Sequence, residues 1–259
     1  MSNGIPSRAV VVTGGASGIG RACATALAEQ ARNVAIWDLD GANAASVAQE
    51  LADTHGIATH GVGVDVRDPA TFADAVASSL AAVGPIGGMV HAAGVVSIDP
   101  ADRLDADAWA RVVDVNLRAF ALLVPALLPA LRDTAAGGVR DASIVGIASI
   151  EAIVGDGRIP AYCASKAGLL GLVRSFAVGL ASDGIRVNAV CPGYVDTPMT
   201  APIMSAPEMR SRMERRVPLG RVAAPEEIGR VVRFLLSPDA SYVTGAELVV
   251  DGGLTRCVA

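Results

Sequence analysis

The sequence contains no Cys-x-x-Cys pair, no histidine cluster, no basic stretch and no uninterrupted apolar run long enough to cross a bilayer. Each absence excludes a class of protein. The four cysteines, Cys23, Cys163, Cys191 and Cys257, are scattered. They read as reduced, mostly buried thiols of a cytosolic chain, not as a disulfide framework or a zinc site. His55, His60 and His91 lack ligand spacing, so no metal is expected, and His91, ending an expected strand, reads as structural. Lys and Arg number 21 against 26 Asp and Glu, a formal net charge of −5. Nucleic acid is therefore not an expected partner. The longest apolar stretch, 119–131, is broken by Pro125 and Pro129. It falls short of the ~18 residues a membrane helix needs, reads as a buried or interface helix, and implies no membrane partner. The first apolar run, Ala9 to Val12, is interrupted by a glycine loop, so no signal peptide and a cytoplasmic location are expected.

What is present is alternation. Strands are expected at 8–13, 33–38, 57–65, 86–91, 141–149, 185–191 and 246–250, and helices at 18–31, 41–54, 69–83, 105–133, 161–182 and 225–236. Several of the strands are apolar throughout, as strands covered on both faces are. The order predicts an α/β fold, a Rossmann-type doubly wound parallel sheet of about seven strands with helices on both faces. At 259 residues and 52% hydrophobic, the chain is expected to form a single domain, 1–259. In such sheets ligands bind beyond the carboxyl ends of the strands. One stretch, 196–220, with four prolines and four methionines, fits neither pattern and reads as a mobile lid.

Two motifs lie at the expected ligand edge. Arg8 to Thr13 is a short β-branched run leading into Gly14-Gly15-Ala16-Ser17-Gly18-Ile19-Gly20 and then a helix. Glycines let backbone approach a pyrophosphate closely, and a helix N-terminus offers it free N–H groups. Asp38 ends the second strand 18 positions after Gly20 (38 − 20), close to the ~20-residue offset of an acid that binds the adenosine ribose hydroxyls. A 2′-phosphate there would meet like charge. Ser17 and Leu39-Asp40 bring no base near it, and Arg21 is expected to face solvent from the first helical turn. The implied cofactor is NAD. The second motif is Tyr162-x-x-x-Lys166, which places both side chains on one helical face. A nearby ammonium lowers a phenol's pKa and makes it a proton-transfer group near neutral pH. Cys163, at i+1, faces away and is not read as a nucleophile.

With these residues in order, the chain resembles the single-domain branch of the short-chain dehydrogenase/reductase family over almost its whole length. The marks are Thr13-Gly14-x-x-x-Gly18-Ile19-Gly20, Asp38, Asp65-Val66, His91-Ala92-Ala93-Gly94, Asn116, Ser149 (13 before Tyr162, 162 − 149), Tyr162-x-x-x-Lys166, Pro192-Gly193 followed by Thr197, and Asp251-Gly252-Gly253. The turn after the fourth strand usually carries two asparagines. Here His91 and Ala92 replace them, so side-chain hydrogen bonds from this turn to cofactor or sheet are not expected to follow the family pattern, while backbone contacts persist. The resemblance implies Tyr162 as acid/base and Lys166 as the group that lowers its pKa and holds the nicotinamide ribose. It implies Ser149 as hydrogen-bond donor to the substrate oxygen, and Asn116 as the holder of a helix kink and a relay water. Gly14, Ser17, Gly18, Ile19 and Gly20 would cradle the pyrophosphate. Asp38 and Leu39 would meet the adenosine ribose, and Asp65 and Val66 the adenine. Ala92, Ala93, Gly94, Pro192 and Gly193 would contact the cofactor by backbone, and Val195 and Thr197 would bind the carboxamide.

The leading expectation is an NAD-dependent oxidoreductase interconverting a secondary alcohol and its ketone. The alternatives are an NADPH-dependent 3-oxoacyl-thioester reductase, or a non-catalytic nucleotide-sensing protein of the same fold. Against the last, Asn116, Ser149, Tyr162 and Lys166 all stand. A mainly apolar wall of Ile150, Ile153, Tyr194, Met199, Ile203 and Met204, with Glu151 as its one acid, suits a cyclic or bulky hydrophobic alcohol. Glu151 reads equally as a solvated carboxylate on the turn. The long apolar helices at 105–133 and 161–182, which the family pairs at an interface, imply a homotetramer.

Overall fold

The computed structural model describes residues 8–136 and 142–256. Position 141 of the fifth expected strand and Cys257 lie outside these. Seven strands form one sheet: β1 (Ala9–Thr13), β2 (Val34–Asp38), β3 (Thr59–Gly63), β4 (Ile86–His91), β5 (Ser143–Ile147), β6 (Arg186–Pro192) and β7 (Glu247–Val250). Their order is β3-β2-β1-β4-β5-β6-β7 and each neighbouring pair is parallel. The chain reverses its direction of travel across the sheet between β1 and β4, which opens a crevice at their carboxyl ends. The inner strands β1, β4, β5 and β6 are buried along their whole length. Edge strand β3 is only half-buried and shorter than expected, since it has one neighbour and carries Gly61 and Gly63.

Helices α1 (Gly18–Ala28), α2 (Gly41–His55) and α9 (Pro225–Leu235) cover one face; Cys23, Leu27, Val47, Ile228 and Val232 pack there on Val10, Val12 and Ile36. The other face carries α3 (Phe72–Val83), α5 (Ala119–Ala136) and α6 (Pro160–Leu180), with Phe72, Phe120, Leu123 and Leu169 against Val11, Met89 and Ile144. α1 crosses α9 so closely that a Cβ at Gly229 would lie 2.5 Å from the Ala22 carbonyl oxygen.

Two expectations are corrected. The stretch 196–220 is not irregular. It holds two short helices, α7 (Ala201–Met204) and α8 (Pro207–Arg216). Pro202 and Pro207 sit in first turns, where a missing N–H costs nothing, so these prolines begin helices rather than break them. The expected helix at 105–133 is α4 (Ala106–Val113) joined to α5 by a π turn, Asp114–Arg118. By length and composition, the helical segments Ala106–Asp133 and Pro160–Asp183 could each cross a membrane. In this fold their apolar faces meet the sheet: Phe120, Leu123, Leu127, Leu131, Leu169 and Val173 are fully buried.

Candidate active site

The loop after β1 folds back on itself. Gly14 has φ +63°, and a Cβ there would lie 2.7 Å from Ala93 backbone atoms at the end of β4. A Cβ at Gly20 would lie 2.0 Å from the Gly14 carbonyl oxygen. Only glycine fits either position. Ser17 precedes α1 in extended conformation and makes no side-chain cap, which leaves first-turn N–H groups of α1 facing the loop. Asp38 ties the loop to β2: Oδ2 accepts from Ala16 N–H at 3.0 Å and Oδ1 from Asp40 N–H at 3.2 Å. Each carboxylate oxygen keeps a further lone pair for another donor. Arg21 reaches both oxygens of Glu50 at 2.7 Å on the exposed outer side, away from the loop.

Beyond the carboxyl ends of the strands runs a cleft of about 400 Å³. At one end it is lined by Gly14, Ser17, Gly18, Ile19, Gly20, Asp38, Leu39, Asp65 and Val66, and farther along by Ala92, Ala93, Gly94, Pro192, Gly193, Val195 and Thr197. Ser149, Tyr162 and Lys166 also line it, so the glycine loop and the Tyr–Lys helix face one space. The residues present fit a dinucleotide: a glycine cradle that a Cβ would fill, a free helix N-terminus, and a carboxylate at the second strand end. Among the described residues no group of three His, Cys, Asp or Glu side chains could hold a metal ion.

On α6, Lys166 is buried and its Nζ donates to the Ile147 carbonyl oxygen at 2.7 Å. It lies 5.5 Å from the centre of the Tyr162 ring. The electrostatics differ from the sequence expectation. Burial pushes the Tyr162 phenol up to about 12, and the hydrogen bond with Ser149 acts in the opposite direction. Burial also draws the Lys166 ammonium down to about 8. One of the three ammonium donors goes to Ile147, and desolvation is the largest influence on the phenol. Tyr162 in this state is a neutral proton donor at physiological pH. Ser149 opens a 3-10 turn, 150–152, where its Oγ accepts from the Glu151 N–H at 3.2 Å, and it is nearly buried.

Asn116 lies in the π turn and is fully buried. Its Oδ1 accepts from Val95 N–H at 2.8 Å, and its Nδ2 donates to the Val95 carbonyl at 2.9 Å and to Ser165 Oγ at 3.0 Å. The side chain thus joins the segment after β4 to the helix of Tyr162 and Lys166. Its two N–H donors are committed to protein groups. The turn after β4 also departs from expectation: His91 Nδ1 lies 2.9 Å from Thr13 Oγ1, a side-chain bond to the sheet made without an asparagine.

At the substrate end, Met199 lines the cleft with Ser149 and Tyr162, whereas Glu151, Tyr194 and Met204 do not. Met204 is buried. Tyr194 accepts from Arg216 at 2.8 Å, and that guanidinium lies 5.9 Å from its ring centre. Glu151 has one buried oxygen, Oε2, with no hydrogen-bond partner, and burial, then Asp156, raise its carboxyl. It is therefore not the freely solvated carboxylate that the turn alone suggested. Sequence reasoning missed Val95, Arg67, Arg111 and Val115 on the cleft wall. Arg67 is committed to Asp65 at 2.6 to 3.1 Å. Arg111 and Val115 share a helical face at i, i+4, a spacing that could have pointed to them once Asn116 was placed.

A family model described as enoyl-(acyl carrier protein) reductase matches residues 14–255. The cis-4-hydroxycyclohexanecarboxylate dehydrogenase of Sinomonas cyclohexanicum is 41% identical over 98% of this chain and 99% of its own. The cyclohexanol dehydrogenase of Acinetobacter sp. (strain SE19) is 36% identical, with 98% of each chain covered. Among solved structures, a 3-ketoacyl-(acyl-carrier-protein) reductase from Brucella melitensis complexed with NADH superposes with a TM-score of 0.88 at 28% identity, covering 97% of this chain and 99% of that one. The chain belongs to the short-chain dehydrogenase/reductase family. Within it, the protein is an alcohol dehydrogenase/ketone reductase that uses a nicotinamide cofactor.

Proposed function

We propose that the protein oxidises a cyclic secondary alcohol to its ketone, and reduces the ketone in return, with NAD in preference to NADP. The observation that carries this reading is the shared cleft: the glycine loop and Asp38 at one end, Ser149, Tyr162 and Lys166 at the other. Gly14 to Gly20 and the N-terminus of α1 hold the pyrophosphate. Asp38, with Leu39, accepts from the adenosine ribose, Asp65 and Val66 flank the adenine, Ala92, Ala93, Gly94, Pro192 and Gly193 supply backbone contacts, and Val195 and Thr197 fix the carboxamide. Bound there, NAD supplies the hydride acceptor. Ser149 orients the substrate oxygen and Tyr162 exchanges its proton. Burial keeps the Tyr162 phenol protonated, the state that donates to the substrate oxygen as the ketone is reduced. Lys166 holds the nicotinamide ribose. Asn116 fixes the helix carrying both. Met199 shapes the substrate end, and Met204, Tyr194 and Glu151, which do not line the cleft in this structure, join it when 196–220 closes as a lid. The molecule works as a cytoplasmic homotetramer built on α4–α5 and α6.

The names of the relatives, which act on hydroxycyclohexane-type alcohols, support the cyclic class. The competing reading is an NADPH-dependent 3-oxoacyl-thioester reductase, favoured by the description of the matching family model and by the Brucella melitensis structure. Asp38 argues against NADP, and Arg67, bound to Asp65, is not free to offset it. Absorbance at the reduced-nicotinamide band, with NAD or NADP and with cyclohexanol, cis-4-hydroxycyclohexanecarboxylate or a 3-oxoacyl thioester, separates the two. The proposal expects NAD turnover on the cyclic alcohols. Turnover confined to NADPH and the thioester would replace it with the competing reading.

A further inference from the structure

His91 stands where the chain departs from its family's usual turn, and nothing in the proposed reaction uses it. It ends β4 at the ligand edge and is fully buried. Thr13, its register partner on β1, places Oγ1 at 2.9 Å from Nδ1 and also receives the Ala93 N–H at 3.4 Å. A hydroxyl can accept on one side and give its own proton to the other. With Thr13 as the donor to Nδ1, the neutral ring carries its proton on Nε2. Nε2 is buried and reaches no partner at hydrogen-bond geometry. A buried donor without a partner is rare and calls for an explanation.

The Val115 and Asn116 backbone, in the π turn, lies near enough to favour a proton on this ring, though short of a hydrogen bond. A π turn widens the helix and takes carbonyls out of the regular i→i−4 ladder, so it leaves acceptors for a donor outside the helix. Phe120, on the first turn of α5, packs on the same ring at 5.7 Å between centres. One imidazole thus touches β1, the π turn and the helix that follows. That turn directs the Asn116 carboxamide inward to Val95 and Ser165.

We propose that His91 is a positioning residue for Asn116: its ring, anchored by Thr13, braces the π turn from the sheet side. Asn116 is thereby held between the segment after β4 and the helix that carries Tyr162 and Lys166. The activity arm of the test rests on the function proposed above; the exchange arm does not.

His91→Phe keeps a ring against Phe120 and deletes both nitrogens. It is expected to lower kcat for alcohol oxidation about tenfold or more, since misplacement by an ångström can cost as much as ~10²-fold, with KM within about twofold. Because His91 acts through Asn116, adding His91→Phe to Asn116→Ala should cost nothing further. Independently of substrate and cofactor, amide hydrogen exchange across 114–119 should accelerate at least about tenfold in His91→Phe. Thr13→Val, which removes the anchor and the longer Ala93 contact but keeps the ring, should do the same, and it carries the test if His91→Phe fails to fold. Losses that multiply in the double variant would overturn the proposal, as would exchange across 114–119 that is unchanged in the single variants. If the unmutated protein oxidises no alcohol, the functional reading falls and the exchange measurement still decides the role of His91.

Discussion

Burial of His91 makes the fold sensitive to mild acid, and the effect can be isolated. Its imidazole is pulled from 6.5 down to about 3, first by desolvation and then by the charge of Lys166. Between those values the unfolded chain binds a proton that the native state does not. Stability is therefore complete above about pH 6.5 and is lost as pH falls below it, by up to ~1.4 kcal/mol per pH unit. Between about pH 7.5 and pH 5.5 the loss from this one group is roughly 1 to 1.5 kcal/mol. Other groups titrate over the same range, so the quantity to measure is a difference. Urea midpoints of the wild type and His91→Phe are compared at the two pH values. The variant is expected to be less stable near pH 7.5, where it has lost the Thr13 hydrogen bond, and the gap should close by roughly 1 kcal/mol near pH 5.5. A gap independent of pH would show that the native imidazole protonates as readily as a free one, and the account of a neutral, sealed ring would fail.

Three further outcomes follow from the geometry. Gly20→Ala places a methyl group 2.0 Å from the Gly14 carbonyl oxygen, and overpacking of this kind costs ~1–3 kcal/mol; NAD affinity by titration should fall about 10- to 100-fold, and unchanged affinity would refute the cradle. Asp38→Ala removes a charged acceptor worth ~1.5–3 kcal/mol and should shrink the NAD over NADP ratio of kcat/KM about tenfold or more, chiefly by weakening NAD; a ratio that stays put would remove Asp38 from cofactor choice. Gly229→Ala drives a Cβ to 2.5 Å from the Ala22 carbonyl oxygen and should lower Tm by several degrees, at ~2–4 °C per kcal/mol, while kcat per folded molecule is unchanged; an unaltered Tm would mean that the α1–α9 crossing is looser than it stands.

The parts of the fold that could be read from the sequence are those whose signal is local. β1 announces itself because strands covered on both faces are near-continuously apolar, and β4 and β6 do so apart from His91 in the one and Arg186 and Asn188 in the other. The glycine loop was legible because its steric demand admits one residue type. The π turn left no mark in the periodicity, since one extra residue within a helix leaves the apolar pattern of 105–133 almost unaltered; only the family resemblance, which implies a kink at Asn116, pointed to it. α7 and α8 were hidden because a proline at a first helical position and a proline in a loop look alike until the backbone is known. The neutral Tyr162 escaped for another reason. Spacing shows that Lys166 is near, but the burial of Lys166, the partial burial of Tyr162 and the Ile147 carbonyl that engages the ammonium are tertiary facts. Val95 likewise carries no motif. Its place at the site comes from Asn116, 21 residues away along the chain.

The central claim is that Tyr162 exchanges the substrate's proton while the rest of the cleft binds the cofactor, and Tyr162→Phe tests it most directly. The substitution removes one hydroxyl and keeps the ring. Turnover of NAD with cyclohexanol or cis-4-hydroxycyclohexanecarboxylate should fall by ~10²–10⁴-fold, the usual worth of a general acid–base group. NAD affinity, measured by titration on the same preparation, should stay within about twofold. A variant that binds NAD and keeps most of its kcat would contradict the account.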